Sequence, residues 1–215
     1  RELLLQQRFL PYESKYLAGL KGSIIGLKLT NLDDAGKAIY EGDRLLPNNE
    51  FAIDGVKCAT DDLGQLYRVG DDLVPNMSYE INGYKYVTDA MGRVESAEGF
   101  LQLKTHEGRL TIKDTIQSIG KGFEELFDQR GHLIADRFNG SNGLENIVAM
   151  GGEVTKAYAA IEQKCADALA DGAEVFFKVE PLYEGGSFRP SSFAITDIID
   201  GEETVTFLLN TAKEM

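Results

Sequence analysis

Apolar and polar residues alternate along two stretches that match at an offset of 28 residues. Leu46-Pro47-Asn48-Asn49-Glu50-Phe51-Ala52-Ile53-Asp54-Gly55-Val56-Lys57 returns as Val74-Pro75-Asn76-Met77-Ser78-Tyr79-Glu80-Ile81-Asn82-Gly83-Tyr84-Lys85. Alternation with period two predicts strands with one buried face. Asp54-Gly55 and Asn82-Gly83 predict tight turns at the centre of each copy, because both central positions of a type I′ turn need positive φ. Each copy therefore reads as a β-hairpin. The match continues through Thr60-Asp61 and Gly64 to Thr88-Asp89 and Gly92, and Asp33-Asp34-Ala35-Gly36 begins a partial third copy upstream. Two copies and a fragment are too few for a solenoid, so a small β-meander is expected over residues 21–74. The pairs Asp33-Asp34, Asp61-Asp62 and Asp71-Asp72 read as turn chemistry. They lack the dense acidic pattern and bidentate glutamate of a calcium loop.

The period changes elsewhere. Leu3, Leu4, Phe9, Tyr12, Tyr16 and Leu17 predict a helical tail over 1–20, joined to a region upstream of the fragment. Val154, Tyr158, Ile161, Cys165 and Leu169 recur at steps of three and four. They predict an amphipathic helix from 153 to 170, stopped by Asp171-Gly172. Strands are expected at 174–183, 192–199 and 203–209, the last two joined by Asp200-Gly201. The class is α+β.

Composition narrows the function. The chain has 215 residues, 43% hydrophobic and 27% charged, with a formal net charge of −13. That acidity opposes general affinity for nucleic acid, since phosphates are gripped by Lys and Arg. The charge is uneven, however. Residues 93–137 are near neutral, with 7 basic and 8 acidic side chains, while residues 138–215 carry 5 and 13. No apolar run is long enough to span a bilayer. Cys58 and Cys165 are far apart and show no metal-type spacing, and two separate thiols are expected.

One near-neutral stretch holds a candidate chemistry. Asp128-Gln129-Arg130-Gly131-His132-Leu133-Ile134-Ala135-Asp136-Arg137-Phe138 contains one of two histidines, beside an arginine and just ahead of Asn139, Asn142 and Asn146. Histidine takes up a proton near neutral pH, and a guanidinium binds phosphate in bidentate fashion. A base next to a phosphate ligand suits phosphodiester cleavage. His106, in Thr105-His106-Glu107-Gly108, reads as an exposed turn residue. Asp128 and Asp136 read as solvated loop carboxylates, and Asn139 and Asn142 as turn formers.

The run Gln129-Arg130-Gly131-His132-Leu133-Ile134-Ala135, followed by Asn146-Ile147-Val148-Ala149-Met150, resembles the DNA/RNA non-specific endonucleases of the ββα-metal (His-Me finger) superfamily. The likeness is greatest to the C-terminal nuclease domains of type VII-secreted toxins. Tyr86 to Arg93, Val179 to Tyr183 and Arg189 to Phe193 agree with it. The resemblance implies a ββα-metal core with a central antiparallel sheet over 75–215, preceded by the hairpin-repeat segment. It implies His132 as general base, Arg130 beside it as catalytic and phosphate-binding residue, and Arg137 and Arg189 as further substrate contacts. It also implies Mg2+ or another divalent cation organised by Asn146, Thr155 and Glu162, with Glu162 supporting the metal's water shell. Nucleic acid is the implied substrate, an immunity protein the implied partner, and a secreted antibacterial toxin the implied setting. The chain departs from the family at one point. Relatives carry asparagine near the helix start as the direct metal ligand, and Thr155 stands there. Two outcomes follow: the metal is held through other ligands, or the domain is an impaired nuclease fold that serves in protein binding.

Overall fold

The computed structural model describes residues 32–212; the tail expected over 1–20 and the first part of the hairpin segment lie outside them. Within these residues the chain divides into two compact units, 32–83 with 87–93, and 84–86 with 94–212. Strand β8 contributes residues to both.

The first unit contains β1 (Tyr40–Glu41), β2 (Arg44–Leu45), β3 (Glu50–Ile53), β4 (Val56–Thr60), β5 (Leu66–Val69), β6 (Asp72–Leu73) and β7 (Ser78–Ile81), with part of β8 (Tyr84–Thr88). β1 pairs with β2, and β3-β4-β5-β6 form an antiparallel sheet. The two expected turns adopt positive φ at both central residues: +50° and +79° at Asp54 and Gly55, +56° and +80° at Asn82 and Gly83. The sequence repeat recurs bond for bond. Thr60 Oγ1 donates to the Leu46 carbonyl at 2.6 Å, as Thr88 Oγ1 does to Val74 at 2.7 Å.

The copies are also tied in series, which the pattern alone did not predict. The Asp34 carboxylate accepts the N–H groups of Asp54 and Gly55 (2.9 and 2.8 Å). Asp62 accepts those of Asn82 and Gly83 in the same way (3.2 and 2.9 Å). Each loop aspartate thus clamps the hairpin turn of the following copy. Gly64 and Gly92 allow the close stacking: a Cβ there would lie 2.7 Å from the Leu45 carbonyl oxygen and 2.8 Å from that of Leu73.

The second unit continues with β9 (Val94–Phe100), α1 (Ile116–Gly120), β10 (Gln129–His132), β11 (Ile147–Met150), α2 (Gly152–Ala170), β12 (Val175–Leu182), β13 (Ser192–Ile199) and β14 (Glu202–Leu209). Its sheet runs antiparallel in the order β14-β13-β12-β9, with Tyr84–Tyr86 of β8 following. α2 buries Val154, Tyr158, Ile161 and Cys165, the stripe read from the sequence, and Tyr158 meets the Phe193 ring edge-on at 6.0 Å. Asp197, buried on the sheet's inner face, is neutralised by Lys164 of α2 at 2.8 Å. The β13–β14 hairpin turns at Asp200-Gly201, again with positive φ at both residues. Cys58 and Cys165 are free and buried.

The histidine strand has a partner that periodicity missed. β10 pairs antiparallel with β11, setting His132 opposite Ile147 and Gln129 opposite Met150. Every residue of β11 is buried, so Ile-Val-Ala-Met shows no alternation to read. The hairpin leads directly into α2, which completes a ββα unit.

Candidate functional site

Glycine at 131 and an anchored loop let the hairpin deliver His132. A Cβ on Gly131 would lie 2.8 Å from Met150 Cβ and Sδ, so the strand accepts only glycine without moving Met150. Past His132, the loop folds around Asn146. Its Nδ2 donates to the carbonyls of Ile134 and Ser141, each at 2.8 Å, and its Oδ1 accepts the Ile134 N–H at 2.9 Å. Gly140 packs so closely that a Cβ would fall 1.9 Å from the Ile134 oxygen. This places Asn142 Oδ1 2.8 Å from His132 Nε2. From α2, the Tyr158 hydroxyl donates to the Leu133 carbonyl and fixes the helix against the strand end.

Between hairpin and helix opens a cleft of about 450 Å³. Its walls include Arg130 and His132 of β10, Asp136 and Arg137 of the following turn, Thr155 and Glu162 of α2, and Lys104 and Arg109 of the loop after β9. Four cations (Lys104, Arg109, Arg130, Arg137) face it against two carboxylates (Asp136, Glu162). The cleft is therefore locally basic in an acidic chain.

His132 is biased toward its neutral form. Burial lowers its pKa below the ordinary histidine value; the Asn142 bond and the Asp136 charge oppose this, and the Arg109 charge reinforces it. A carboxamide oxygen only accepts, so Nε2 carries the hydrogen and Nδ1 keeps its lone pair. Glu162 is shifted the opposite way: burial pushes its carboxyl up to about 7, against the Arg137 charge. A carboxyl so placed regains its charge when a cation arrives.

Five of the seven expected residues meet in this cleft: Arg130, His132, Arg137, Thr155 and Glu162. Arg130 Nη1 donates to the carbonyls of Ile112 and Asp114 (3.1 and 3.0 Å) and so pins the segment after Arg109. Arg137 lies over the Phe138 ring and donates to Gln163 Oε1 at 3.1 Å. Thr155 Oγ1 donates to the Gly151 carbonyl one turn back, at 3.0 Å.

Asn146 and Arg189 stand apart from the cleft. Asn146 is fully buried, and all its amide capacity toward the loop is in use, as above. Arg189, also buried, holds Asp128 in a two-point pair (Nε 2.7 Å, Nη2 3.1 Å) and donates to the Asn210 carbonyl at 3.0 Å. Asn210 in turn donates to the carbonyls of Ala149 and Pro190 and accepts the Gly151 N–H.

Three readings of polar residues need correction. Asp128 is not solvated, because Arg189 buries its side chain to 1% exposure. Asp136 is buried too, with Lys104 at 3.7 Å and His106 at 3.5 Å. His106 is consequently packed beside a carboxylate rather than exposed in a turn. Asn142, Lys104 and Arg109 belong to the site although no motif marked them; the only signal was the cluster of cations and amides in the near-neutral stretch.

The histidine hairpin thus leads into a helix that faces it with a carboxylate across the cleft. Residues 75–201, more than half of the chain, match the profile of the DNA/RNA non-specific endonuclease family, and the chain belongs to that family. It is 33% identical over 90 residues to the type VII secretion system protein EssD of Staphylococcus aureus, in strains USA300 and NCTC 8325 alike. That match takes in 39% of this chain and only 15% of the length of EssD. Among solved structures, NucA from Streptococcus agalactiae without metal aligns with a TM-score of 0.45 and 16% identity, covering 76% of this chain and 83% of that one. The magnesium-bound form of NucA aligns with the same TM-score and 15% identity, covering 76% and 82%.

Proposed function

We propose that residues 75–215 cut phosphodiester bonds of DNA or RNA, and that 21–74 form a separate hairpin-repeat segment. One observation carries the reading: His132, in a basic cleft, has Nε2 engaged by Asn142 and is kept neutral by burial. Nδ1 is then the base that takes a proton from water, a role worth about 10²–10⁴-fold in rate. Lys104, Arg109 and Arg137 bind the phosphates flanking the scissile bond. Arg130 contributes charge and holds the Arg109 loop in place.

The donors fit a hydrated cation. Among the described residues no group of three or more Asp, Glu, His or Cys side chains is placed to hold a metal ion, and the expected ligands in the cleft are the Glu162 carboxylate and the Thr155 hydroxyl of α2. Mg2+ suits so few ligands because it keeps most of its waters. Glu162 and Thr155 lie seven residues apart on α2, about 10 Å along its axis, and together they would hold a hydrated cation rather than strip it of its waters. When bound, the cation supplies charge stabilisation at the phosphorus and leaving oxygens.

The likeness to the type VII secretion system protein EssD supports export through a type VII system, and we extend this to a secreted antibacterial toxin with a cognate immunity protein, as the family resemblance implies. Among the described residues no helix is long and apolar enough to cross a membrane. A second reading, a nuclease fold that binds protein without cutting, is favoured by Thr155, whose neutral hydroxyl is a poorer cation ligand than the amide carbonyl that relatives carry there. One experiment separates them. Plasmid DNA and RNA are incubated with the protein, His132→Ala and Thr155→Asn, in Mg2+ and in EDTA. Mg2+-dependent cutting that disappears in His132→Ala supports the nuclease. Cutting seen only in Thr155→Asn supports the second reading, and no cutting by either with any divalent metal ends the first.

A further inference from the structure

The chain entering the histidine strand passes through a turn built against its own sequence. Residues 125–128 close a β-turn, with the Asp128 N–H donating to the Glu125 carbonyl at 3.0 Å. Its third residue, Phe127, sits at φ +72°, the place that glycine or asparagine fills in a type II turn. Both central side chains point to solvent: Leu126 is 74% exposed and Phe127 56%. The turn is nonetheless tied down at its base. Asp128 Oδ2 accepts the Glu125 N–H at 2.8 Å, and the same carboxylate is locked by buried Arg189. Folding would be served better by Gly at 127 and a polar residue at 126. A strained backbone and a buried ion pair instead hold a leucine and a phenylalanine out in water.

Resting on the nuclease reading above, we propose that the Leu126–Phe127 turn is a platform on which an unpaired nucleobase of the substrate stacks. Gln129 and Arg130, which line the cleft, follow two and three residues on. At about 3.3 Å per strand residue, Phe127 lies about 7–10 Å along the chain from them, a span of a few stacked nucleotides. The flanking charges decide which part of the nucleic acid arrives. Glu124 and Glu125 precede the tip, Glu125 with its Oε2 3.6 Å from Arg189 Nη2, and neither offers phosphate a cation, while the cations that attract phosphate lie within the cleft. A neutral, flat base is the component that fits an apolar tip with acidic neighbours. In a duplex the bases are already stacked and paired, so the platform favours single strands or frayed ends. Stacking on an aromatic ring tolerates every base, which agrees with cleavage that ignores sequence.

The test uses the whole chain, Phe127→Gly and Phe127→Trp. Binding of a single-stranded oligonucleotide carrying 2-aminopurine is followed by its fluorescence in EDTA, and kcat/KM on single- and double-stranded DNA is measured in Mg2+. Phe127→Gly is expected to weaken single-strand binding about five- to tenfold. It should also abolish the quenching of 2-aminopurine and lower the single-to-double-strand ratio of kcat/KM; tryptophan should restore all three. Glycine suits φ +72°, so the variant should melt no lower than the parent, and a loss of binding cannot then be blamed on misfolding. The proposal is overturned if the parent binds no single strand, if Phe127→Gly binds it as the parent does, or if single- and double-strand binding fall equally. Phe127-dependent binding to zwitterionic lipid vesicles, without binding to the oligonucleotide, would overturn it too. If quenching depends on Phe127 but no nucleic acid is cut, the cleavage reading fails and the platform stands.

Discussion

Asn142 Oδ1 lies 2.8 Å from His132 Nε2, and that contact leaves Nδ1 as the nitrogen that would take a proton in the proposed reaction. Removing it frees the ring to exchange tautomers and rotate. Asn142→Ala should lower kcat on the order of tenfold to a hundredfold, less than the ~10²–10⁴-fold expected of His132→Ala. Kinetics of both variants on one substrate check this. Parental rates in Asn142→Ala would show that the tautomer is set by another group.

The acid side of the pH profile should move in opposite directions in two variants. The active form of His132 is neutral, so the rate rises with pH through its pKa, which burial holds below the usual histidine value. The Asp136 charge raises that pKa and the Arg109 charge lowers it. Asp136→Asn should therefore shift the acid limb of kcat/KM to lower pH, and Arg109→Gln to higher pH. Shifts in the same direction would contradict the assignment of His132 as base.

Glu162 ties activity to a stability cost in the metal-free protein. Its carboxyl is raised from 4.5 to about 7 by burial, against Arg137. The folded state thus retains a proton that the unfolded chain releases. The associated stability is fully present below about pH 4.5 and is lost as pH rises through about 7. In EDTA, Glu162→Gln should raise Tm at pH 8 and change it little at pH 4, while cleavage in Mg2+ is lost. A gain equal at both pH values would mean that the carboxylate charge is not its source.

Period and turn chemistry were legible wherever they acted locally. Helix α2, the three C-terminal strands and the Asp-Gly and Asn-Gly turns lie where the residues predict them, because each rests on spacing within a few positions. The series link between hairpin copies was not legible, since Asp34 reaches partners 20 and 21 residues away. At the site, residue type was a weaker guide than burial. Asn142 and Asn146 look alike in sequence, yet one meets the histidine and the other forms the core of the loop. Arginine behaves similarly: Arg137 faces the cleft, whereas Arg189 is enclosed with Asp128. A long polar side chain has many possible partners, and only the fold chooses among them.

Asn210 is expected to be the most sensitive polar position outside the cleft. Its buried carboxamide satisfies the Gly151 N–H and the carbonyls of Ala149 and Pro190, at the junction of β11 and α2. Asn210→Ala strands all three, and each buried unsatisfied group costs about 1–3 kcal/mol. A loss of about 3–5 kcal/mol is expected from urea denaturation, allowing for incomplete additivity. A loss under about 1 kcal/mol would show that the junction relaxes to find other partners.

The aspartate clamps give the hairpin array a direction. Asp34 and Asp62 each secure the turn of a later copy, but the corresponding position after the last full copy is Ala90, which has no carboxylate to offer. Asp61 and Asp89 each accept a side chain of their own loop at Oδ2, from Gln65 and Arg93, and Asp61 Oδ2 receives the Glu80 N–H of the next copy as well. Among the described copies each clamp therefore reaches forward to the turn that follows it, and the series stops at the last full copy.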